Sequence, residues 1–223
     1  MKCPADTILF DIDGTLLDPK YGITKCAQYS LRYFGINEEN LDSLEKFIGP
    51  PIDEAYRDFY NFNEEQVNTA IEKFRERYGN IGMFENEVYP DIPQLLSKLK
   101  AKGKKLMVVT TKYYGYAIEI LKHYGLHDYF DFVAGSKFDN TRSQKADIIR
   151  YALNTLNLTA SSQMVMIGDR KYDIIGARKA GLKSIGVLYG YGSREEIQQA
   201  DPHYIVKNVQ ELQDILLWFT RLF

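Results

Sequence analysis

Asp11-Ile12-Asp13-Gly14-Thr15 sets two carboxylates one residue apart ahead of a glycine. In extended backbone these carboxylates point the same way, because strand side chains alternate with a period of two. Gly14 frees the backbone to turn sharply, and its amide can face an anion. Gly168-Asp169-Arg170-Lys171-Tyr172-Asp173 supplies a second acidic pair, Thr110 and Thr111 offer hydroxyls, and Lys145 offers an amine. Gathering Asp11, Asp13 and Asp169 without a cation is costly: carboxylates ~4 Å apart repel by about 4 kcal/mol at an effective dielectric near ~20. A divalent cation removes that cost, and an all-oxygen hard site suits Mg²⁺. A metal with open positions, a lysine and a hydroxyl form an electrostatic clamp for a phosphoryl group. One carboxylate can then act as nucleophile and the other as general acid and base. Asp169 would touch the metal directly or through water, and Asp173 would orient that shell.

Such groups need elements that carry them to one place. Residues 7–10, 106–109, 132–134, 164–167, 184–188 and 204–206 are short apolar runs without polar alternation. That pattern suits strands of a parallel sheet buried on both faces. Between them lie helical patterns over 92–102, 116–124, 145–156 and 173–180, with Gly103, Gly125 and Gly181 where helix C-caps belong. Strand–helix alternation predicts an α/β fold with a doubly wound, Rossmann-like parallel sheet. In open parallel sheets ligands bind beyond the carboxyl ends of the strands. Asp11 and Asp13 follow the first run, Thr110 and Thr111 end the second, Gly168-Asp169 ends the fourth, and Lys145 opens a helix after the third. Four segments therefore converge on one rim.

Residues 18–87 break the alternation with helical patterns over 23–34, 41–48, 52–60 and 64–78. Gly49-Pro50-Pro51 separates two of them and places a proline at a helix start. The expected organisation is an α/β core of residues 1–17 and 88–223, with a helical cap of residues 18–87 inserted after the first strand.

The 223 residues are 45% hydrophobic and 26% charged, enough for a sizeable core. A net charge of -2 gives no basic excess to attract a nucleic-acid polymer or an acidic membrane. Cys3 and Cys26 have no metal or redox spacing and read as two reduced thiols. The start of the chain is polar and reads as no signal peptide, and no apolar run is long enough to span a bilayer. Residues 215–219 read as the buried face of a last helix, ahead of a dimer contact. A cytoplasmic protein is the expectation, with oligomeric state open.

Together, Asp11-Ile12-Asp13-Gly14-Thr15, Thr110, Lys145, and Gly168-Asp169 with Asp173 resemble, in order, the four motifs of the haloacid dehalogenase superfamily phosphatases. The helical insert resembles that superfamily's first cap class. Gly49-Pro50-Pro51, residues 134–145 and residues 186–194 are similar to the phosphoglycolate phosphatase-like branch, including its 5'-nucleotidase-like subgroup. The resemblance implies an Mg²⁺-dependent phosphatase that hydrolyses a small phosphomonoester, phosphoglycolate-like or 5'-nucleotide-like, through an aspartyl-phosphate. On it, Asp11 would be nucleophile and metal ligand. Asp13 would protonate the leaving group, activate water and give a backbone oxygen to the metal. Gly14, Thr110, Thr111 and Lys145 would hold the phosphate, Asp169 would complete the metal site, and Asp173 would support it. One departure stands out: Tyr113 follows Lys112 where such phosphatases often carry proline.

Plainer readings exist for each residue alone. Asp-x-Asp can be a solvated turn, Thr110 a β-branched strand residue, Lys145 a surface lysine, and Asp173 a helix N-terminal acid. Cap aromatics Tyr56, Phe59, Tyr60, Phe62, Phe74 and Tyr78 read as packing before base stacking. Tyr113, Tyr114 and Tyr116 read as pocket lining or packing, and His123, His127 and His203 as surface or loop residues. Gly190-Tyr191-Gly192 lacks the third glycine and ribose-binding acid of a dinucleotide loop. A mutase would share the core and differ in its cap. A dehalogenase needs neither Asp13 nor Mg²⁺. A receiver-like domain carries its phosphoacceptor after a middle strand and has no cap, and a catalytically silent binding protein has no need of the full set.

Overall fold

Apolar runs buried on both faces become the strands of one parallel sheet. The computed structural model describes residues 5–139 and 141–217. Strand β1 (Thr7–Phe10) is followed by β2 (Leu17–Asp18), helices α1 (Lys20–Tyr33), α2 (Ile52–Tyr60) and α3 (Glu64–Tyr78), and β3 (Glu87–Val88). Then come α4 (Ile92–Ala101), β4 (Lys105–Tyr113), α5 (Tyr114–His123), β5 (Phe132–Ser136), α6 (Lys145–Thr155), β6 (Met164–Gly168), α7 (Lys171–Lys179), β7 (Lys183–Val187), α8 (Arg194–Gln199), β8 (Tyr204–Val206) and α9 (Val209–Leu217). The chain forms two compact units, Met1–Leu17 with Val88–Phe223, and Asp18–Glu87.

In the first unit the six-stranded order is β5-β4-β1-β6-β7-β8, and its pairings are parallel. The chain builds outward from β1 through β4 to β5, then crosses back to β6 on the other side. The switch in strand order therefore falls at β1, where an open α/β sheet leaves a crevice. Ile8, Leu9 and Phe10 are fully buried, which is why β1 shows no polar alternation. One core cluster packs Leu9, Met107, Val109 and Met166 against Ile148, Ile149 and Ala152 of α6. Gly103, Gly125 and Gly181 take positive φ just past α4, α5 and α7, the left-handed C-cap that glycine adopts without strain.

The second unit is helical. Helix α3 starts with a reciprocal capping box: Asn63 Oδ1 accepts from Gln66 N at 2.9 Å and Gln66 Oε1 accepts from Asn63 N at 3.0 Å. Pro51 is the N-cap of α2. Residues Leu41–Phe47 form a 3₁₀ helix rather than an α-helix. Asn40 Oδ1 accepts from Asp42 N at 3.0 Å, and Gly49-Pro50-Pro51 stops the segment before it can relax into longer α geometry. Tyr56, Phe62, Phe74 and Tyr78 are buried, whereas Phe59 is exposed. Tyr56 stacks on Phe62 and Phe74 on Tyr78, with ring centroids 5.9 and 5.4 Å apart. These rings are core packing of the insert.

Cys26 is buried, and its Sγ accepts from Arg77 Nη1 at 3.3 Å; Cys3 lies outside the described residues, as do Trp218 and Phe219 at the end of the last apolar run. Leu212 and Leu216 of α9 are buried. No helix among the described residues is long and apolar enough to cross a membrane.

Candidate active site

Phe10 pairs in register with Val108 of β4 and Ile167 of β6. Asp11 lies one residue past that level, and Thr110 and Asp169 two. Asp11 is held at the end of β1 by its own N–H, which donates to Ile167 O at 3.0 Å. Its Oδ1 accepts from Ile12 N at 2.8 Å and pairs with Lys145 Nζ at 3.0 Å. Ile12 O then accepts from Thr15, Leu16 and Leu17 in a tight turn. Gly14 sits in that turn at φ +74°, and a Cβ there would collide with the Asp169 carboxylate, so only glycine lets the two loops approach. The Gly14 amide donates to Leu17 O at 2.8 Å. That corrects the expectation that this amide faces an anion: the turn itself uses it.

Lys145 starts α6 and is buried despite its charge. Its Nζ lies 3.0 Å from Asp11 Oδ1 and 2.7 Å from Asp173 Oδ1, and donates to Val109 O at 3.1 Å. An ammonium has three donors, and three acceptors already surround this one. Burial alone would lower the lysine's pKa, but Asp11 and Asp173 outweigh it and hold the pKa above the ordinary value. Asp173 does two jobs, since its Oδ2 also accepts from Arg170 N at 3.2 Å at the start of α7. Burial pushes Asp173 up to about 6 against the pull of Lys145.

Asp11, Asp169 and Asp173 each place a carboxylate oxygen within 4.8 Å of the others. Asp169 is raised well above the carboxylate range by burial and then by its neighbour Asp173. Asp13 stands beside this group: its Oδ2 pairs with Lys112 Nζ at 2.9 Å. Burial raises Asp13, with Lys112 opposing. Thr110 is buried, and its Oγ1 accepts from Lys112 N at 3.2 Å, leaving the hydroxyl proton to give. Thr111 is only partly buried. Asp13 Oδ1 and Asp169 Oδ1 are buried with no hydrogen-bond partner among the described residues. Four carboxylates, Asp11, Asp13, Asp169 and Asp173, thus face two ammonium groups, Lys112 and Lys145. Orphaned acceptors and excess negative charge are what a hard divalent cation corrects.

Two features of the site carried little sequence signal. Lys112 shows only as one lysine among many until β4 is placed beside β1. Gly190-Tyr191-Gly192, dismissed as a dinucleotide loop, closes the site from β7: Tyr191 N donates to Asp169 Oδ2 at 2.8 Å. A Cβ on Gly192 would collide with the Asp169 carbonyl oxygen. A strand followed by closely spaced glycines was the available clue, but its meaning depends on β7 lying next to β6. Tyr113 and Tyr114 instead line a cavity of about 470 Å³ with Phe132 and Tyr151, and none of the carboxylates above lines it. His127 pairs with Asp128, and His203 Nδ1 accepts from Ser184 N.

Residues 8–187 match the family model described as haloacid dehalogenase-like hydrolase. A 5'-nucleotidase of Pseudomonas aeruginosa is 40% identical over 94% of this chain and 94% of its own. The tyrosine-protein kinase PtkA of Mycobacterium tuberculosis is 31% identical over 94% of this chain and 72% of its own. Among solved structures, a predicted phosphatase from Clostridium acetobutylicum superposes with a TM-score of 0.91 at 48% identity, covering 94% of this chain and 97% of that one.

Proposed function

Because the chain belongs to the haloacid dehalogenase-like hydrolase family, we propose that it is an Mg²⁺-dependent phosphatase that hydrolyses a small phosphomonoester through an aspartyl-phosphate on Asp11. The carrying observation is the cluster at the β1 carboxyl end: Asp11 fixed through one oxygen by Lys145 and Ile12, beside buried acceptors that lack partners.

Asp11 attacks phosphorus through Oδ2, since Oδ1 is engaged. The P–O bond to the alcohol breaks, Asp13 gives its proton to the departing oxygen, and an acyl phosphate forms on Asp11. Asp13 then takes a proton from water, which attacks the acyl phosphate and releases inorganic phosphate. Thr110 donates its hydroxyl to a phosphoryl oxygen. Lys145 steadies Asp11 and offsets charge from where it stands, and reaches phosphate directly only by giving up Val109 O. Asp11, Asp169 and the Asp13 backbone oxygen would hold Mg²⁺, with Asp173 orienting Lys145 and the rim. When bound, the cation offsets the negative charge of the transferring phosphoryl group.

A 5'-nucleotide or a phosphoglycolate-like ester is the proposed substrate class, the first supported by the nucleotidase relative. A reducing, cytoplasmic setting is part of the reading. The test is a panel of phosphomonoesters with Mg²⁺ and with chelator. Release of phosphate that needs Mg²⁺ and vanishes in Asp11→Asn, with unchanged circular dichroism, is the expected result. Undiminished turnover by Asp11→Asn refutes the nucleophile. Label passing to a tyrosine acceptor instead of water would favour the activity for which the mycobacterial relative is named.

A further inference from the structure

The proposed mechanism needs Asp13 at a particular distance and angle from the departing oxygen, yet the Asp13 side chain is outside the oxygen cluster that fixes Asp11, Asp169 and Asp173. Its observed ionic partner is Lys112, 2.9 Å from Oδ2. The Lys112 side chain is 7% exposed and that of Asp13 16%, so the pair is well shielded from water and its geometry is not freely exchanged.

The backbone explains how a lysine from β4 reaches Asp13. Val109 pairs with Ala134, but the next pairing on β5 joins Tyr113 to Ser136. Four steps along β4 therefore match two along β5, and the irregularity covers Thr110-Thr111-Lys112. Departures of this kind beside active sites re-aim side chains. Within it, Lys112 N is anchored on Thr110 Oγ1 at 3.2 Å, so the residue that carries the ammonium is tied to the hydroxyl proposed to hold phosphate. Asp13 Oδ1, the oxygen Lys112 does not hold, is buried and has no hydrogen-bond partner among the described residues.

We propose that Lys112 is a positioning residue for Asp13, holding Oδ2 so that Oδ1 exchanges the proton with the leaving group. The proposal rests on the phosphatase reading above and assigns Lys112 no contact with the reacting atoms. In the step concerned, Asp11 Oδ2 forms the new bond to phosphorus and the P–O bond to the alcohol breaks. The electron pair stays on the alcohol oxygen, which takes the proton from Asp13 Oδ1.

A leaving group that departs readily as an anion has little need of that proton, whereas an alkoxide needs it fully. The experiment compares kcat/KM for p-nitrophenyl phosphate and for an alkyl phosphate such as glycerol 3-phosphate, in wild type, Lys112→Met and Lys112→Arg. This ratio reports the first displacement, because loss of the alcohol commits the phosphoenzyme. Positioned proton transfer contributes roughly 10²–10⁴-fold. Lys112→Met is expected to lose about 100-fold on the alkyl ester and no more than about 5-fold on the aryl ester, with Lys112→Arg recovering part of the alkyl loss. In an Asp13→Asn background, Lys112→Met should add less than about 2-fold, since groups acting as one unit are not additive. If Lys112→Met does not fold, Lys112→Gln is read the same way. Equal losses on both esters, or a full effect in the Asp13→Asn background, overturn the proposal and leave the phosphatase reading standing. Wild type that releases phosphate from no phosphomonoester of the panel, these two included, overturns both.

Discussion

Lys145 shows most directly how single residues shape this site. A lysine that is 4% exposed is tolerable only because carboxylates surround it. The same ammonium keeps Asp11 and Asp173 from standing as uncompensated neighbours. Replacing it with methionine preserves length and packing but removes the charge from both. Breaking one side of a buried ion pair costs about 3–5 kcal/mol. In a chain of this size that corresponds to a fall in Tm of roughly 10 °C in metal-free buffer. Lys145→Met should show that fall by differential scanning calorimetry and lose at least about 10³-fold in kcat/KM, since charge stabilisation is usually the largest catalytic contribution. An unchanged Tm would mean that the ion pairs of Lys145 with Asp11 and Asp173 add no net stability.

Elements carry the next level of control, and here the limits of sequence reading have a physical cause. Asp11, Thr110 and Asp169 were legible because each ends a run too apolar to be anything but a buried strand, and such strands deliver polar residues at their carboxyl ends. Lys145 was legible from its place at a helix start after the third run. Lys112 and Gly190-Tyr191-Gly192 were not, because their roles depend on which strands are neighbours, and local periodicity is silent on strand order. Residues Leu41–Phe47 were read as an ordinary helix because a seven-residue 3₁₀ segment shows nearly the same apolar spacing as an α-helix. The loop after β7 offers an element-scale test. Gly192→Ala puts a methyl group onto the Asp169 carbonyl oxygen, and because that neighbour is backbone the loop must move. Overpacking of this kind costs about 1–3 kcal/mol. Displacing Tyr191 N would also release Asp169 Oδ2. Activity should fall at least about 10-fold, with weakened Mg²⁺ activation, in a steady-state titration of Mg²⁺ against rate. Wild-type activation by Mg²⁺ in Gly192→Ala would show that the loop does not shape Asp169.

For the whole molecule, the site behaves as a store of mismatched charge that links folding to pH and to metal. Asp13, Asp169 and Asp173 all have folded-state values raised by burial. A raised carboxylate contributes stability that is fully present below the unfolded value, near ~4, and is lost as pH rises through the folded value. For Asp173 that loss runs from the unfolded value up to its folded value of about 6. Glu85 of the helical insert acts with opposite sign: its hydrogen bond from Arg77 lowers it, so its contribution is present above the unfolded value and lost only at lower pH. Between roughly pH 4 and 7 the metal-free site therefore loses stability, and over the same range deprotonation readies it for a cation. Mg²⁺ should consequently raise Tm little at pH 5 and much more at pH 7.5. At a concentration near ~100 times its dissociation constant, a ligand adds about 2.7 kcal/mol, or roughly 5–10 °C for a chain of this length. Asp169→Asn should abolish that pH-dependent increment while leaving the insert's response to acid intact. Thermal melts at both pH values, with and without Mg²⁺, read the linkage directly. An increment that is equal at both pH values, or that survives in Asp169→Asn, would locate cation binding away from this cluster.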